Sequence, residues 1–361
     1  MGSRISRALV RLAILKGRRR LQSRQQPEMR LRTGKEGGAT RRCLVALVFL
    51  LTLPSLARPQ VSAPPAGRQS DDYTIRVSAD SVVLQATVRN HNGTPVSGLS
   101  KENFQVYEDG ARQQIEYYGH DDIPVTVGLV VDNSGSMRPK RPDVIAAALA
   151  FARSSNPQDQ MFVVNFNAHV SFGLPDGMPF TDQVEQLQSA LSSITAIGET
   201  ALYDAVAVAL EHLKQGNRDK KVLIVVSDGG DNASHHTLDQ AATLAGKSDA
   251  IIYTIDISVP EDPDRNPNAL RRLAKATGGE AFLPETLEEV VPICKRIAQD
   301  IRSQYTLAYT PANTKSDGAY RTIQVKTTGH GRLTVRTRAG YYAPSKPQAL
   351  PAIAGSQTSH P

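Results

Sequence analysis

Two short apolar runs constrain the fold of this chain more than any other feature. Val125-Thr126-Val127-Gly128-Leu129-Val130-Val131 and Val222-Leu223-Ile224-Val225-Val226 are rich in β-branched residues and carry no alternation of polar and apolar positions. Runs of that kind read as strands covered on both faces, as in a parallel sheet between helices. Each run leads directly into a polar cluster that contains an acid: Asp132-Asn133-Ser134-Gly135-Ser136 after the first and Ser227-Asp228-Gly229 after the second. A buried strand that ends in a carboxylate places that carboxylate on the loops above the sheet, where open α/β sheets bind ligands.

The pattern around these runs extends the same reading. Helical spacing covers Asp143–Ser154, Asp182–Ile194, Ala201–Gln215, Leu238–Ser248, Asn268–Thr277 and Thr286–Gln304. Strands are expected at residues 125–131, Met161–Phe166, Lys221–Val226, Ala250–Ile257 and Glu280–Leu283. Strict alternation of this kind predicts an α/β fold with a doubly wound, mostly parallel sheet, Rossmann-like in plan, over residues 121–304. Pro292 should kink the last helix or fall near its start.

The flanks are different. Residues 73–120 show strand character at Tyr73–Val77, Ser81–Val88, Val96–Leu99 and Phe104–Gly110, around the turn Asn90-His91-Asn92-Gly93-Thr94-Pro95. Residues 305–344 return to strands at Tyr305–Tyr309, Thr322–Lys326 and Leu333–Thr337. Neither flank is large enough to be stable alone. The expectation is that they join into one antiparallel β-sandwich with the α/β domain inserted between its halves.

Charge and cysteine usage narrow the function. Of 42 basic and 35 acidic side chains, thirteen basic and two acidic fall in residues 1–57, so the rest of the chain holds 29 basic against 33 acidic. That balance argues against nucleic acid as a partner. Within the leader, Arg41-Arg42 precede an eleven-residue apolar run, Cys43 to Leu53, and then Pro54-Ser55-Leu56-Ala57. This is the order of a secretory signal peptide cleaved after Ala57, and the run is short of the roughly 20 residues needed to span a bilayer. An uncleaved anchor is the alternative, as are twin-arginine export from Thr40-Arg41-Arg42 and a start at Met29. The expected location is periplasmic or extracellular, with no stable transmembrane segment once the leader is removed. Residues 58–72 read as a linker and 345–361 as a loose tail. Cys294 shares helical spacing with Leu287, Val290, Ile297 and Ile301, so it is expected in the core.

The polar clusters carry the chemistry. Asp132, Ser134 and Ser136 offer one carboxylate and two hydroxyls, Asp228 a second carboxylate, and Thr200 in Gly198-Glu199-Thr200-Ala201-Leu202-Tyr203-Asp204-Ala205 a third hydroxyl. Hard divalent cations favour all-oxygen sets of this kind. Together, these three motifs resemble the metal-ion-dependent adhesion site of von Willebrand factor type A domains. The segments Asn92-Gly93-Thr94-Pro95-Val96-Ser97-Gly98-Leu99 and Arg338-Ala339-Gly340-Tyr341-Tyr342-Ala343-Pro344 are similar to the flanks of exported bacterial proteins that carry such a domain.

The resemblance implies a site of Asp132, Ser134, Ser136, Thr200 and Asp228 holding Mg²⁺, with Mn²⁺ or Ca²⁺ as alternatives. It also implies that the hydroxyls touch the ion, that the acids act mainly through water or hydrogen bonds, and that an acidic side chain of a partner protein completes the shell. The function so implied is metal-dependent protein binding in adhesion or assembly. A structural domain with a vestigial site is the alternative, followed by a metal-assisted hydrolase with Asp228 or His235 as base. No nucleophile elbow, zinc-protease helix or phosphate-binding loop is present, so no catalytic residue is assigned. Asp231 and Asn232 are expected in a solvated loop, with support of the site or a separate Ca²⁺ as the alternative, His235 and His236 in surface or capping roles, and Glu199 beside the ion or simply exposed. Asp256 should end a strand at the same rim.

Overall fold

A computed structural model of the chain describes residues 81–258, 264–328 and 331–345. The leader, the linker, the Tyr73–Val77 segment and the tail beyond Ser345 lie outside the described residues. Among the described residues, no helix is long and apolar enough to cross a membrane.

The chain opens with β1 (Val82–Arg89), β2 (Phe104–Glu108), β3 (Ala111–Gln113) and β4 (Tyr117–Gly119). An α/β stretch follows: β5 (Val125–Asp132), α1 (Arg141–Ser154), β6 (Gln160–Phe166), β7 (Val170–Phe172), α2 (Val184–Ser192), α3 (Leu202–Leu213) and β8 (Lys220–Ser227). It continues through α4 (Leu238–Lys247), β9 (Ile251–Asp256), α5 (Pro267–Thr277), β10 (Ala281–Phe282) and α6 (Val290–Arg302). The chain closes with β11 (Tyr305–Tyr309), β12 (Tyr320–Thr327), β13 (Thr334–Arg336) and β14 (Gly340–Tyr342).

The α/β stretch forms one six-stranded sheet in the order β10-β9-β8-β5-β6-β7. All of its pairings are parallel except β6 with β7. The apolar run that becomes β5 is buried along its whole length between β8 and β6. Its centre is crowded: a Cβ on Gly128 would lie 2.5 Å from both the Leu223 Cδ2 and the Phe162 Cζ. Glycine is needed there because neighbouring side chains fold over the strand. Pro292 lies in the first turn of α6, behind a short 3₁₀ turn at Leu287–Glu289, so it starts the helix without breaking it. Cys294 is buried in this core, and burial pushes its thiol up to about 12.

The flanking strands pair with one another across the α/β stretch. One four-stranded sheet runs β13-β1-β11-β4 and the other β14-β12-β2-β3. In the first, β1 pairs antiparallel with β11 from Val82↔Tyr309 to Ala86↔Tyr305. In the second, β12 pairs antiparallel with β2 from Ile323↔Glu108 to Thr327↔Phe104. Leu84, Ala86 and Val88 from β1 share a core with Phe104 and Val106 from β2, and with Tyr305, Leu307 and Tyr309 from β11. Glu108 alternates inward with Phe104 and Val106 and is buried; the Tyr309 hydroxyl (2.8 Å) and the Tyr341 hydroxyl (3.1 Å) both donate to its Oε2. Tyr341 comes from the Arg338–Pro344 segment, so that sequence motif closes over a buried acid.

Three local expectations are corrected. Val96–Leu99 is not a strand; only an isolated bridge, Arg89↔Pro95, adjoins it, and Tyr118 Oη and Tyr305 Oη bond the Leu99 and Val96 carbonyls instead. The three-residue strands β3, β4 and β7 go beyond the sequence expectations, because three residues are too few to show a period. The segment Gly340–Tyr342 pairs with β12 as a strand.

Overfilling the centre of β5 tests this packing. Gly128→Val should cost about 1–3 kcal/mol of stability, as overpacking of a dense core does. Thermal denaturation of the full chain reads the change, and an unaltered midpoint would contradict the packing described.

Candidate metal centre

The parallel register brings the acidic strand ends to one rim. Asp132 ends β5 opposite Phe166 of β6, Val131 stands opposite Val226 of β8, and Ser227 stands opposite Asp256 of β9. Asp132 ends β5 level with Ser227, and Asp228 follows one residue later, so the two acids leave adjacent strands within one residue of each other. Both are nearly inaccessible, with 2% and 3% of their surface exposed. Neither has an ion-pair partner among the described residues.

Hydrogen bonds fix each carboxylate. Asp132 accepts from the Ser134 backbone N–H at Oδ1 (2.8 Å) and from the Ser227 hydroxyl at Oδ2 (2.6 Å). Asp228 accepts from the Gly230 N–H at Oδ1 (3.1 Å) and from the Ser136 hydroxyl at Oδ2 (2.7 Å). Ser134 Oγ lies 3.2 Å from Ser136 Oγ. Burial first, and then the Asp228 charge, raise the Asp132 pKa to about 6 against the lowering effect of Ser227 and Ser134. Four of the five predicted ligands thus form one linked cluster. A hydroxyl that donates its proton to a carboxylate keeps its lone pairs for another acceptor-seeking group.

Thr200 joins the cluster through backbone. The Gly135 N–H donates to the Gly198 carbonyl (3.0 Å) and the Ile197 N–H to the Asn133 carbonyl (2.9 Å), so the Thr200 loop lies against the Asp132–Ser136 loop. Gly198 sits at φ +83°, a left-handed conformation that suits glycine. Thr200 is 7% exposed, and its hydroxyl has no hydrogen-bond partner among the described residues. Residues 127–230 match the von Willebrand factor type A domain.

All five predicted ligands fall within this type A segment. The loop just beyond it, residues 231–236, holds the Thr200 turn and the start of α3. The Thr200 N–H donates to Asn232 Oδ1 (2.8 Å), and Asn232 and Ala233 return their N–H groups to the Thr200 carbonyl (3.0 Å each). The N-cap of α3, Ala201, has no capping side chain. The loop supplies the caps from a distance: Tyr203 N–H donates to Asp231 Oδ2 (2.9 Å) and Asp204 N–H to Ser234 Oγ (3.0 Å). Asp231 is half-buried and Asn232 exposed, in keeping with a solvated loop, and both side chains also accept backbone N–H groups of the Thr200 turn and α3.

His235 and His236 serve Asp204. Their backbone N–H groups donate to its two oxygens at 2.9 Å each, with Nδ1 of His235 at 3.0 Å and of His236 at 2.6 Å. Burial alone would raise the Asp204 pKa, but these bonds outweigh it and hold the carboxyl well below its usual range. The ring of His235 is otherwise exposed. Glu199 is exposed, and Asp256 is buried at the end of β9, its Oδ1 accepting from the Ser258 N–H (2.8 Å). Ser227, Ser234 and Asp204 are the structural participants to which motif reading gave no role.

Several solved structures are similar to the chain. A von Willebrand factor type A protein from Catenulispora acidiphila is 15% identical, with 67% of this chain and 74% of that chain covered and a TM-score of 0.44. The vWF domain of the type V pili tip protein Mfa5 from Porphyromonas gingivalis is 16% identical, over 50% of this chain and 95% of that one, with a TM-score of 0.42. An aerotolerance-related membrane protein from Bacteroides fragilis is 16% identical, over 49% and 98%, with a TM-score of 0.40. Likeness at this level is loose. No curated protein matches the chain.

Two outcomes are expected of the capping loop. Asp231→Ala should cost about 1 kcal/mol, the usual loss for an N-terminal helix cap, and speed amide exchange at Tyr203; unchanged exchange there would refute the cap. Because the Asp204 pKa is depressed on folding, its contribution is complete above the ordinary unfolded value of about 3.9 and is lost as pH falls through the folded one. Asp204→Asn should therefore lower the melting midpoint at neutral pH and narrow the gap between neutral and acid melts.

Proposed function

We propose that this chain is a metal-dependent protein-binding domain, in which Ser134, Ser136 and Thr200 hold a divalent cation that takes an acidic side chain of a partner as a further ligand. Asp132 and Asp228 orient the hydroxyls and supply the negative charge behind them. The observation that carries the reading is the pair of buried carboxylates on adjacent strand ends, hydrogen-bonded to serines and without a basic partner among the described residues. Buried charges of one sign are ordinarily neutralised by a counter-ion or a metal.

The donor set fits a hard cation. It is all oxygen, and three of its five members are neutral hydroxyls, the chemistry suited to Mg²⁺, with Mn²⁺ and Ca²⁺ as alternatives. A cation in a shell of few charged ligands retains the pull to bind a carboxylate from outside. Among the described residues there is no group of three or more His, Cys, Asp or Glu able to hold a metal, which bears on transition-metal sites and not on a hydroxyl-based one. The one side-chain hydrogen bond His235 makes among the described residues is to Asp204, and none links its ring to the Asp132–Asp228 cluster, so the hydrolase alternative with His235 as base gains no observation in its favour. The leader's signal-peptide grammar and the type A match are what support an exported adhesion or assembly role for the whole chain.

Calorimetric titration of Mg²⁺ and Mn²⁺ into the metal-stripped chain tests the proposal. Saturable binding is expected, weakened by at least about tenfold, roughly 1.4 kcal/mol, in Asp228→Ala and in Asp132→Ala. A folded wild-type chain that takes up neither ion would overturn it.

A further inference from the structure

A cavity of about 820 Å³ opens where the α/β stretch meets the sandwich. Its wall takes in the start of β8, the end of α4, the start of β1 and the segment that follows β14. Lys220 and Ser227 stand at opposite ends of β8, about 23 Å apart for an extended strand, and Ser227 bonds Asp132 of the candidate metal centre. The cavity and the metal rim therefore lie at opposite ends of the sheet. Cavities of this volume ordinarily hold drug-sized molecules.

The wall is positive where it is buried. Lys220 is 3% exposed, yet it makes no hydrogen bond or ion pair among the described residues. Asp122, Asp121 and Asp159 attract it without reaching ion-pair contact, and burial outweighs them, pushing its ammonium down to about 8. These acids do not line the cavity, and two of them are engaged elsewhere. Asp159 accepts from the Val125 N–H (2.8 Å) and the Asn156 N–H (3.1 Å), and Arg302 Nε donates to Asp122 (2.7 Å). At neutral pH Lys220 still carries its charge, and a charge held out of water is ordinarily paired.

The rest of the wall does not supply the missing anion. Lys221 and Arg338 are half-buried, and Arg338 donates to the carbonyls of Gly246 (2.9 Å), Ser248 (3.0 Å) and Gly340 (3.2 Å). Lys247 and Lys315 are exposed, and so are the two acids that line the cavity, Asp219 and Asp249. The buried part of the wall thus holds cations and no carboxylate. Val82, Val222, Ile251 and the ring of Tyr342 add apolar surface.

We infer that this cavity binds a small organic oxyanion, whose carboxylate or phosphate group pairs with Lys220 while a ring or aliphatic body lies against the apolar wall. The volume calls for the body, since a bare phosphate would fill only a small part of it. The site is separate from the metal centre and takes its ligand whether or not a cation is bound there.

Titration of the full chain, labelled with [ε-¹³C]lysine, tests the site. The probes are 1-naphthoate, 1-naphthyl phosphate, inorganic phosphate and the uncharged 1-naphthol. In the free protein a lysine resonance titrating near pH 8 is expected from Lys220, and its loss in Lys220→Gln assigns it. A bound organic anion should raise that midpoint by at least about one pH unit, a tenfold preference for the charged lysine. Naphthoate or naphthyl phosphate should bind at least about tenfold more tightly than inorganic phosphate, and should lose about tenfold in Lys220→Gln but nothing in Asp228→Ala. The tighter of the two tells a carboxylate site from a phosphate site. The midpoint shift is read in wild type, so it decides the matter even if Lys220→Gln does not fold. An unmoved midpoint, equal binding by a folded Lys220→Gln, or 1-naphthol bound as tightly as the anions would overturn the site. Inorganic phosphate bound as tightly as the naphthyl anions would overturn the organic ligand, and binding lost in Asp228→Ala would overturn the location.

Discussion

Two carboxylates buried side by side are the constraint on which the upper rim of this fold depends. Asp132 and Asp228 emerge from adjacent parallel strands, β5 and β8, which stay paired as far as Val131↔Val226 and are buried along these apolar runs. Like charges in such a place repel, and burial penalises each of them. The protein meets part of that cost with hydroxyls and backbone amides: Ser227 and Ser134 on one acid, Ser136 and Gly230 on the other. The remainder is a demand for positive charge, and it turns an ordinary α/β rim into a candidate cation site.

The rest of the structure can be understood as support for that rim. The Thr200 turn is held from both sides, by the Asn133–Gly135 backbone and by the loop of residues 231–236. At the other end of the α/β stretch, α6 carries Asp300, which is fully buried and pairs with Arg89 of β1 and, at 3.6 Å, with Arg336 of β13. Glu280 adds bonds to Arg336 and, at 3.1 Å, to Arg296. These pairs join the last helix of the α/β stretch to one sheet of the sandwich. Removing one arginine would leave a buried acid short of charge, a far larger loss than an exposed pair would represent.

Much of this was legible in the sequence, and the reasons are local. The strands β5 and β8 announce themselves as unbroken β-branched runs, α3 and α6 as apolar stripes, and the candidate site residues as hydroxyls and acids at strand ends and on the loop before α3. What could not be read depends on partners distant along the chain. Asp231 and Ser234 cap a helix that starts some thirty residues earlier, so no N-terminal capping pattern precedes α3. Ser227 belongs to a strand by pattern, yet its hydroxyl crosses to Asp132. Glu108 shares the period-two face of Phe104 and Val106, but the two tyrosines that satisfy it when buried come from distant strands.

The central claim is that Ser134, Ser136 and Thr200 jointly face a cation in front of Asp132 and Asp228. Anomalous diffraction from crystals of the chain grown with Mn²⁺ measures this most directly. The account predicts a single strong peak bounded by those three hydroxyls, absent in Asp228→Ala. A fully occupied Mn²⁺ elsewhere on the protein, or an empty rim at saturating Mn²⁺, would contradict it.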